Sequence, residues 1–278
     1  ATGRGAAVQS SGSGRNNPTE TARSRGTGFI QDASKTADSR STGKTPGGGC
    51  PRIFMERSMR EVNLLDAYPR IKRPIEERAQ WKERTEEGRA VAKRFGPEYF
   101  DGTRDQGYGG YRYDGRWKPV AKRMIEYYGL TGRERILDIG SGKGFLLHDF
   151  RGWMPEAEVA GVDISAYAIE HTLEDIKPFM QRGHAADLPY PDNTFDLVIS
   201  INVIHNLRDA ECRRAIREME RVGRKHKYLQ MDSFRNLEEE EKLRDWQLTV
   251  ELFYNTDQWK RMFEEEGYSG EFYWTITE

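Results

Sequence analysis

Residues 134–144 read ERILDIGSGKG. Ile136, Leu137 and Ile139 surround one polar residue, Asp138, and glycines follow at 140, 142 and 144. A short apolar run closed by glycines predicts a strand buried on both faces, RILDIG (135–140), ending in a tight turn. Missing side chains let a ligand approach that backbone, and a helix predicted over 143–152 would offer its N-terminus to negative charge. A dinucleotide fingerprint needs G-x-G-x-x-G, whereas the sixth position here is Phe145 and the pattern is G-x-G-x-G. No GxxxxGK[ST] stretch occurs either, which disfavours phosphate transfer from a nucleoside triphosphate.

Downstream of this turn the sequence alternates regularly. EVAGVD (158–163) predicts a second strand and residues 164–177 a helix; a short strand near 182–186 ends at Asp187. FDLVISIN (195–202) predicts the next strand, 209–222 a helix, and KYLQMD (227–232) a further strand. Helical stretches around 237–252 and 257–268 precede a terminal strand, GEFYWTI (270–276). Apolar strands separated by helices predict an α/β fold with a parallel sheet covered on both faces.

Two acids stand where such a sheet presents its carboxyl edge. Asp163 ends the second strand, 23 residues beyond Gly140, where a carboxylate can accept both hydroxyls of a ribose; it, or Ser165, can equally cap the helix that follows. Asp187, with Leu188 and Pro189 after it, can accept from an exocyclic adenine amine, or serve as an ordinary polar turn residue.

ERILDIGSGKG, EVAGVDIS, HAADLPYPDNTFDLVIS and NVIHNL occur in this order, and the segment 134–232 that holds them resembles the core of a class I S-adenosylmethionine-dependent methyltransferase. The resemblance implies a Rossmann-like sheet of seven strands with S-adenosyl-L-methionine across the carboxyl edges. Gly140, Gly142 and Gly144 would lie beneath the methionyl part and Asp138 would reach its ammonium. Asp163 would hold the ribose with Ile164 beside the adenine, and Asp187 and Leu188 would meet the adenine itself. The family ends in a β-hairpin whose last strand runs antiparallel. Only one convincing strand follows the 257–268 helix here, so an atypical last strand is expected.

Methyl transfer needs an aligned nucleophile, exclusion of water and, for an O–H or acidic C–H, a base. His205 follows the fourth strand and is the best base candidate, with packing or loop orientation as the alternative; Asn202 and Asn206 can orient a substrate. The five histidines show no metal-ligand spacing, so no metal is expected. Upstream, GYGGYRYDGRW (107–117) precedes a predicted helix over 118–130. It is read as a lid in which Tyr108, Tyr111, Tyr113 and Trp117 line a substrate and Arg112 or Arg116 meets an anion. Residues 75–95 predict a surface helix or helix pair, so 51–117 is a helical extension carrying the lid and 118–278 the cofactor-binding core.

The 278 residues carry 44 basic and 45 acidic groups, a net charge of -1, so there is no global footprint for a nucleic-acid backbone. Residues 1–50 hold ten glycines and a net charge of about +4, and bury too little apolar surface to order. This tail is read as disordered: a spacer, or an organelle transit segment, although it forms no clear amphipathic helix. No apolar run approaches the roughly 20 residues that cross a bilayer. The expectation is a soluble, cytoplasmic enzyme, imported into an organelle if the tail is a transit segment. Its acceptor would be a small metabolite or natural-product intermediate, at O, N or C. The alternatives are an RNA or peptide methyltransferase, or a non-catalytic cofactor-binding protein; the oligomeric state stays open.

Overall fold

The computed structural model describes residues 59–69 and 84–277. The expectations for residues 1–50 and for the first part of the 75–95 helix lie outside them. The order of elements is β1 (Arg60–Glu61), α1 (Glu86–Ala92), α2 (Pro97–Asp101), α3 (Lys118–Tyr128), β2 (Arg135–Ile139) and α4 (Phe145–Trp153). There follow β3 (Glu158–Asp163), α5 (Ala166–Glu170), β4 (Met180–Arg182), β5 (Phe195–Ile201), α6 (Asp209–Val222) and β6 (Gly223–Asp232). The last three are α7 (Leu237–Trp246), α8 (Thr256–Glu265) and β7 (Glu271–Thr275).

The strands form one sheet in the order β1-β7-β6-β5-β2-β3-β4. Successive side chains in β2 go to opposite faces, as strand geometry requires. Leu137 and Ile139 pack with Leu229, Met231, Ile216 and Phe263 on one side, under α6 and α8. Ile136 packs with Leu197, Tyr228, Met124 and Phe150 on the other, under α3 and α4. The sheet is therefore the middle layer of three, and the expected Rossmann-like α/β architecture with its helical N-terminal extension is what forms.

The far edge departs from the family pattern. Every pairing in the sheet is parallel, β6 with β7 included, where an antiparallel last strand was implied. The α8 helix between β6 and β7 is a crossover, and a crossover returns the chain parallel to the strand it left. The seventh strand comes from upstream: Arg60 and Glu61 pair with Glu271 and Phe272, and the Arg60 guanidinium meets the Glu271 carboxylate at 2.5 Å.

The helix expected over 164–177 is also shorter. Ser165 caps α5 by accepting from the Ala168 N–H, but the helix ends at Glu170. His171 and Thr172 bond back to the carbonyls of Tyr167 and Ala168, a competition that weakens a helix interior. The chain then turns inward and buries Ile176 beneath the glycine turn, before Pro178 and a single 3₁₀ turn lead into β4. β4 occupies 180–182 rather than 182–186, with an isolated bridge between His184 and Asp187 beyond it.

Candidate functional site: a glycine turn under an aromatic cover

The carboxyl ends of β2, β3, β5 and β6 carry the polar groups of interest. After β2 the backbone is left-handed at Gly140, Gly142 and Gly144, with φ of 73°, 55° and 75°. Side chains are excluded there for a second reason. A Cβ on Gly140 would lie 2.2 Å from Val203 Cγ2, and one on Gly144 would lie 2.8 Å from Ile176 Cγ2. The turn is thus wedged between the loop after β5 and the segment after α5.

Asp163 holds this turn in place. Its Oδ2 accepts from the Gly142 N–H at 2.7 Å and its Oδ1 from the Ser165 N–H at 2.8 Å. Burial still raises its carboxyl above the usual range, opposed by those two donors. Ile164 beside it is 45% exposed. Asp138 differs in kind. It is buried and receives no hydrogen bond, and desolvation, with the Asp163 charge nearby, pushes its carboxyl up to about 8. A buried carboxyl without a donor is costly, which sets Asp138 apart from Asp163 with its two backbone donors.

The cover is built by residues 95–113. The Phe95 carbonyl accepts from Ser165 Oγ at 2.5 Å, which ties the cover to the end of β3. Asp101 is its latch: Lys143 Nζ of the glycine turn lies 2.6 Å from Oδ2, the Tyr167 hydroxyl donates to the same oxygen at 2.7 Å, and the Tyr111 N–H donates to Oδ1. The Tyr111 ring stacks on Phe145 at 4.7 Å between centroids and reaches the open side of Gly142. Tyr108 leans on Tyr111 at 4.6 Å with 44% of its surface exposed.

The remaining lid residues anchor the cover rather than face the turn. The Tyr113 hydroxyl donates to Asp149 Oδ1 of α4 at 2.6 Å, and Arg116 is engaged by Asp114 and the Tyr68 hydroxyl. Trp117 packs edge-on against Tyr68. Arg112 is exposed. Asn202 has the left-handed φ of 56°, and its Oδ1 accepts from Thr275 Oγ1 at 3.1 Å, linking β5 to β7.

Three expected site residues have other partners. The Asp187 carboxylate is 79% exposed and forms an ion pair with Arg214 of α6 at 3.0 Å. Leu188 is buried, with its N–H donating to Glu218. His205 is buried too, and burial drives its imidazole down to about 3. Its Nδ1 accepts from the Asp232 N–H at 3.1 Å, so the ring proton sits on Nε2, 3.4 Å from Asp232 Oδ2. That leaves no lone pair for a substrate proton, which removes the physical basis for His205 as the base. The His205 carbonyl accepts instead from the N–H groups of Glu251 and Leu252, orienting that loop.

Tyr99, Asp101, Asp232 and Gln247, which the sequence reading passed over, are tied to these residues: Asp101 to Lys143, Asp232 to His205, Gln247 to Asp232, and the Tyr99 ring edge-on to Tyr108. Asp232 ends β6 in KYLQMD as Asp163 ends β3 in EVAGVD, and that parallel was the available signal.

A methyltransferase domain family matches residues 130–267. An uncharacterized methyltransferase of Schizosaccharomyces pombe is 31% identical over 118 residues, 38% of this chain and 41% of that protein. A demethylmenaquinone methyltransferase of a Roseiflexus species is 34% identical over 93 residues, 32% of this chain and 38% of that one. The chain thus spans about two fifths of the length of these curated relatives. The crystal structure of the Bacillus subtilis protein YcgJ superposes with a TM-score of 0.41 at 25% identity, covering 52% of this chain and 66% of that one. Among the described residues, no helix is long and apolar enough to cross a membrane.

Proposed function

The chain belongs to the class I S-adenosylmethionine-dependent methyltransferase family, and from that premise we propose that it is an enzyme that methylates a small molecule with S-adenosyl-L-methionine. The observation that carries this reading is Asp138, a buried carboxyl with no protein donor beside three left-handed glycines. A cationic ammonium supplies both the missing donors and the missing charge. Gly140, Gly142 and Gly144 leave room against the backbone, Asp163 offers its carboxylate to a ribose, and the exposed side chain of Ile164 offers an apolar surface to a base.

When bound, the cofactor supplies an electrophilic methyl on a sulfonium. The chain itself binds, orients and excludes water. Asp101 and Lys143 draw the 95–113 segment onto the glycine turn, and Tyr108 and Tyr111 roof it with apolar surface. The balanced net charge and the small acceptor named for the Roseiflexus relative favour a metabolite over nucleic acid.

Calorimetry with S-adenosylhomocysteine tests the assignment directly. Wild type should bind with saturable heat, and Asp163→Ala, which removes both the ribose acceptor and the tie to Gly142, should weaken binding at least 10-fold. Absence of binding by the folded wild type, or unchanged affinity in the variant, would refute it.

A further inference from the structure

At the end of β6, away from the glycine turn, lies a second buried carboxyl whose environment is asymmetric. Asp232 is 2% exposed. Its Oδ2 accepts from the Gln247 side-chain amide, and His205 Nε2 lies 3.4 Å from the same oxygen without a hydrogen bond to it. Its Oδ1 is buried and has no hydrogen-bond partner among the described residues. His205 is held beside this carboxyl by the backbone N–H of Asp232, which donates to Nδ1. Gln247 is fixed in turn by Arg89 of α1, whose guanidinium reaches the Gln247 carbonyl. Gln247 therefore orients a carboxyl whose other oxygen has no hydrogen-bond partner among the described residues.

This carboxyl adjoins the candidate cleft. The Tyr99 hydroxyl sits beside those of Tyr108 and Thr249, within reach of the charges of both Asp163 and Asp232. Thr249 Oγ1 donates to Asn206 Oδ1 at 2.9 Å, and Asn206 belongs to the loop after β5 that also carries Val203 against Gly140. Side chains from α2, the loop after β5 and the 247–252 segment thus meet in a chain of polar contacts that reaches the partly exposed Tyr108.

We propose that Asp232 is a catalytic residue, its Oδ1 accepting a proton from the methyl acceptor, whose nucleophile is set up by a hydroxyl on a planar ring. This rests on the methyltransferase reading above. In the step assigned to this chain, the acceptor's O–H bond breaks and the proton passes to Oδ1. The electron pair stays on the acceptor oxygen, which becomes the nucleophile for the sulfonium methyl or passes its charge to a ring carbon that does so. Burial also works in the right direction, since it raises the Asp232 carboxyl well above the ordinary range. A carboxylate of normal acidity is a poor base towards a hydroxyl, and one so raised is a better match. The ring is argued from the aromatic wall: the edge-on rings of Tyr99 and Tyr108, 5.0 Å apart, present flat apolar surface next to the hydroxyls and amides that would meet a polar edge.

The probes are 2-naphthol and 2-methoxynaphthalene, which differ in the proton that Oδ1 would accept. Their binding is titrated into the protein saturated with S-adenosylhomocysteine. Wild type is expected to prefer 2-naphthol by about 10-fold or more, the scale of a hydrogen bond to a charged acceptor. Asp232→Leu should bring the ratio within about 2-fold while S-adenosylhomocysteine affinity stays unchanged. With S-adenosylmethionine, Asp232→Asn should slow methylation of 2-naphthol at least 100-fold, the usual contribution of a general base. A wild-type ratio near one, a ratio preserved in Asp232→Leu, or failure of both probes to bind each overturns the proposal. If the variants do not fold, the wild-type ratio alone decides. Loss of S-adenosylhomocysteine binding in wild type would strike the methyltransferase reading instead.

Discussion

Gly140→Ala puts a methyl group where two independent costs act. The left-handed φ of 73° is unfavourable for alanine by about 1–2 kcal/mol. The new Cβ would also stand 2.2 Å from Val203 Cγ2 and 2.8 Å from its Cγ1. Valine is branched at Cβ and stiff about χ1, so it has no rotamer that removes both atoms, and overpacking of this kind costs about 1–3 kcal/mol. The sum is about 2–5 kcal/mol. Gly129→Ala supplies the control: it has φ of 61° and nothing within 4 Å of a Cβ, so it should lose only the conformational part. Val203→Ala, at a half-buried site, should cost about 1 kcal/mol by lost burial. The double variant Gly140→Ala/Val203→Ala should be more stable than the two single losses predict by about 1–3 kcal/mol, because the collision is gone. Urea unfolding of the four variants and wild type measures these differences, and independent sites add to within about 0.5 kcal/mol. Strict additivity would refute the claim that the glycine turn and the loop after β5 are pressed together. A Gly140→Ala loss no larger than that of Gly129→Ala would do the same.

Two further predictions concern charge. The folded Asp138 carboxyl lies near 8, above its unfolded value, so the native state binds the extra proton and ligand-free stability falls as pH rises from about 4 to about 8. Asp138→Asn should remove that slope and raise Tm at pH 9, while weakening S-adenosylhomocysteine about 10- to 100-fold through the lost charge-assisted bond; a lower Tm at pH 9 would contradict it. Asp101→Asn strips Lys143, 8% exposed, of its carboxylate but keeps the side-chain shape. With Asp101 itself about a third exposed, the cost should be about 1–2 kcal/mol, with faster hydrogen exchange at the Tyr111 amide and several-fold faster release of S-adenosylhomocysteine; unchanged exchange over 108–113 would count against the latch.

The strands were readable from the sequence because each is a short apolar run whose alternate residues enter different cores. EVAGVD begins and ends where the reading put it, and so does the 209–222 helix. The boundaries that moved were set by tertiary contacts. Ile176 left the expected helix to fill the space under Gly144, and Arg60–Glu61 became a strand only because the β7 edge was open to receive them. Two residues carry no periodicity, so no pattern in the chain announces them. The lid shows the same limit: composition singled out Tyr108, Tyr111, Tyr113 and Trp117 alike, but only the partners of each ring separate the two that roof the turn from the two that anchor it.

The acids make the point most sharply, because a sequence writes all of them with one letter. Asp163 accepts from two backbone N–H groups, one at each oxygen, and so is committed first to holding the turn. Asp187 has an arginine and open solvent. Among the described residues Asp138 receives no donor, and Asp232 receives one, from Gln247, at one oxygen only. A buried carboxyl left incomplete costs free energy unless something arrives to complete it. Asp149 on α4 is incomplete in the same way, with Tyr113 at one oxygen and nothing hydrogen-bonded to the other among the described residues; what sets Asp138 and Asp232 apart is their place towards the carboxyl ends of β2 and β6. An ammonium would complete the first and a hydroxyl the second. The two requirements belong to different molecules, and a methyl transfer is a reaction that brings such a pair together.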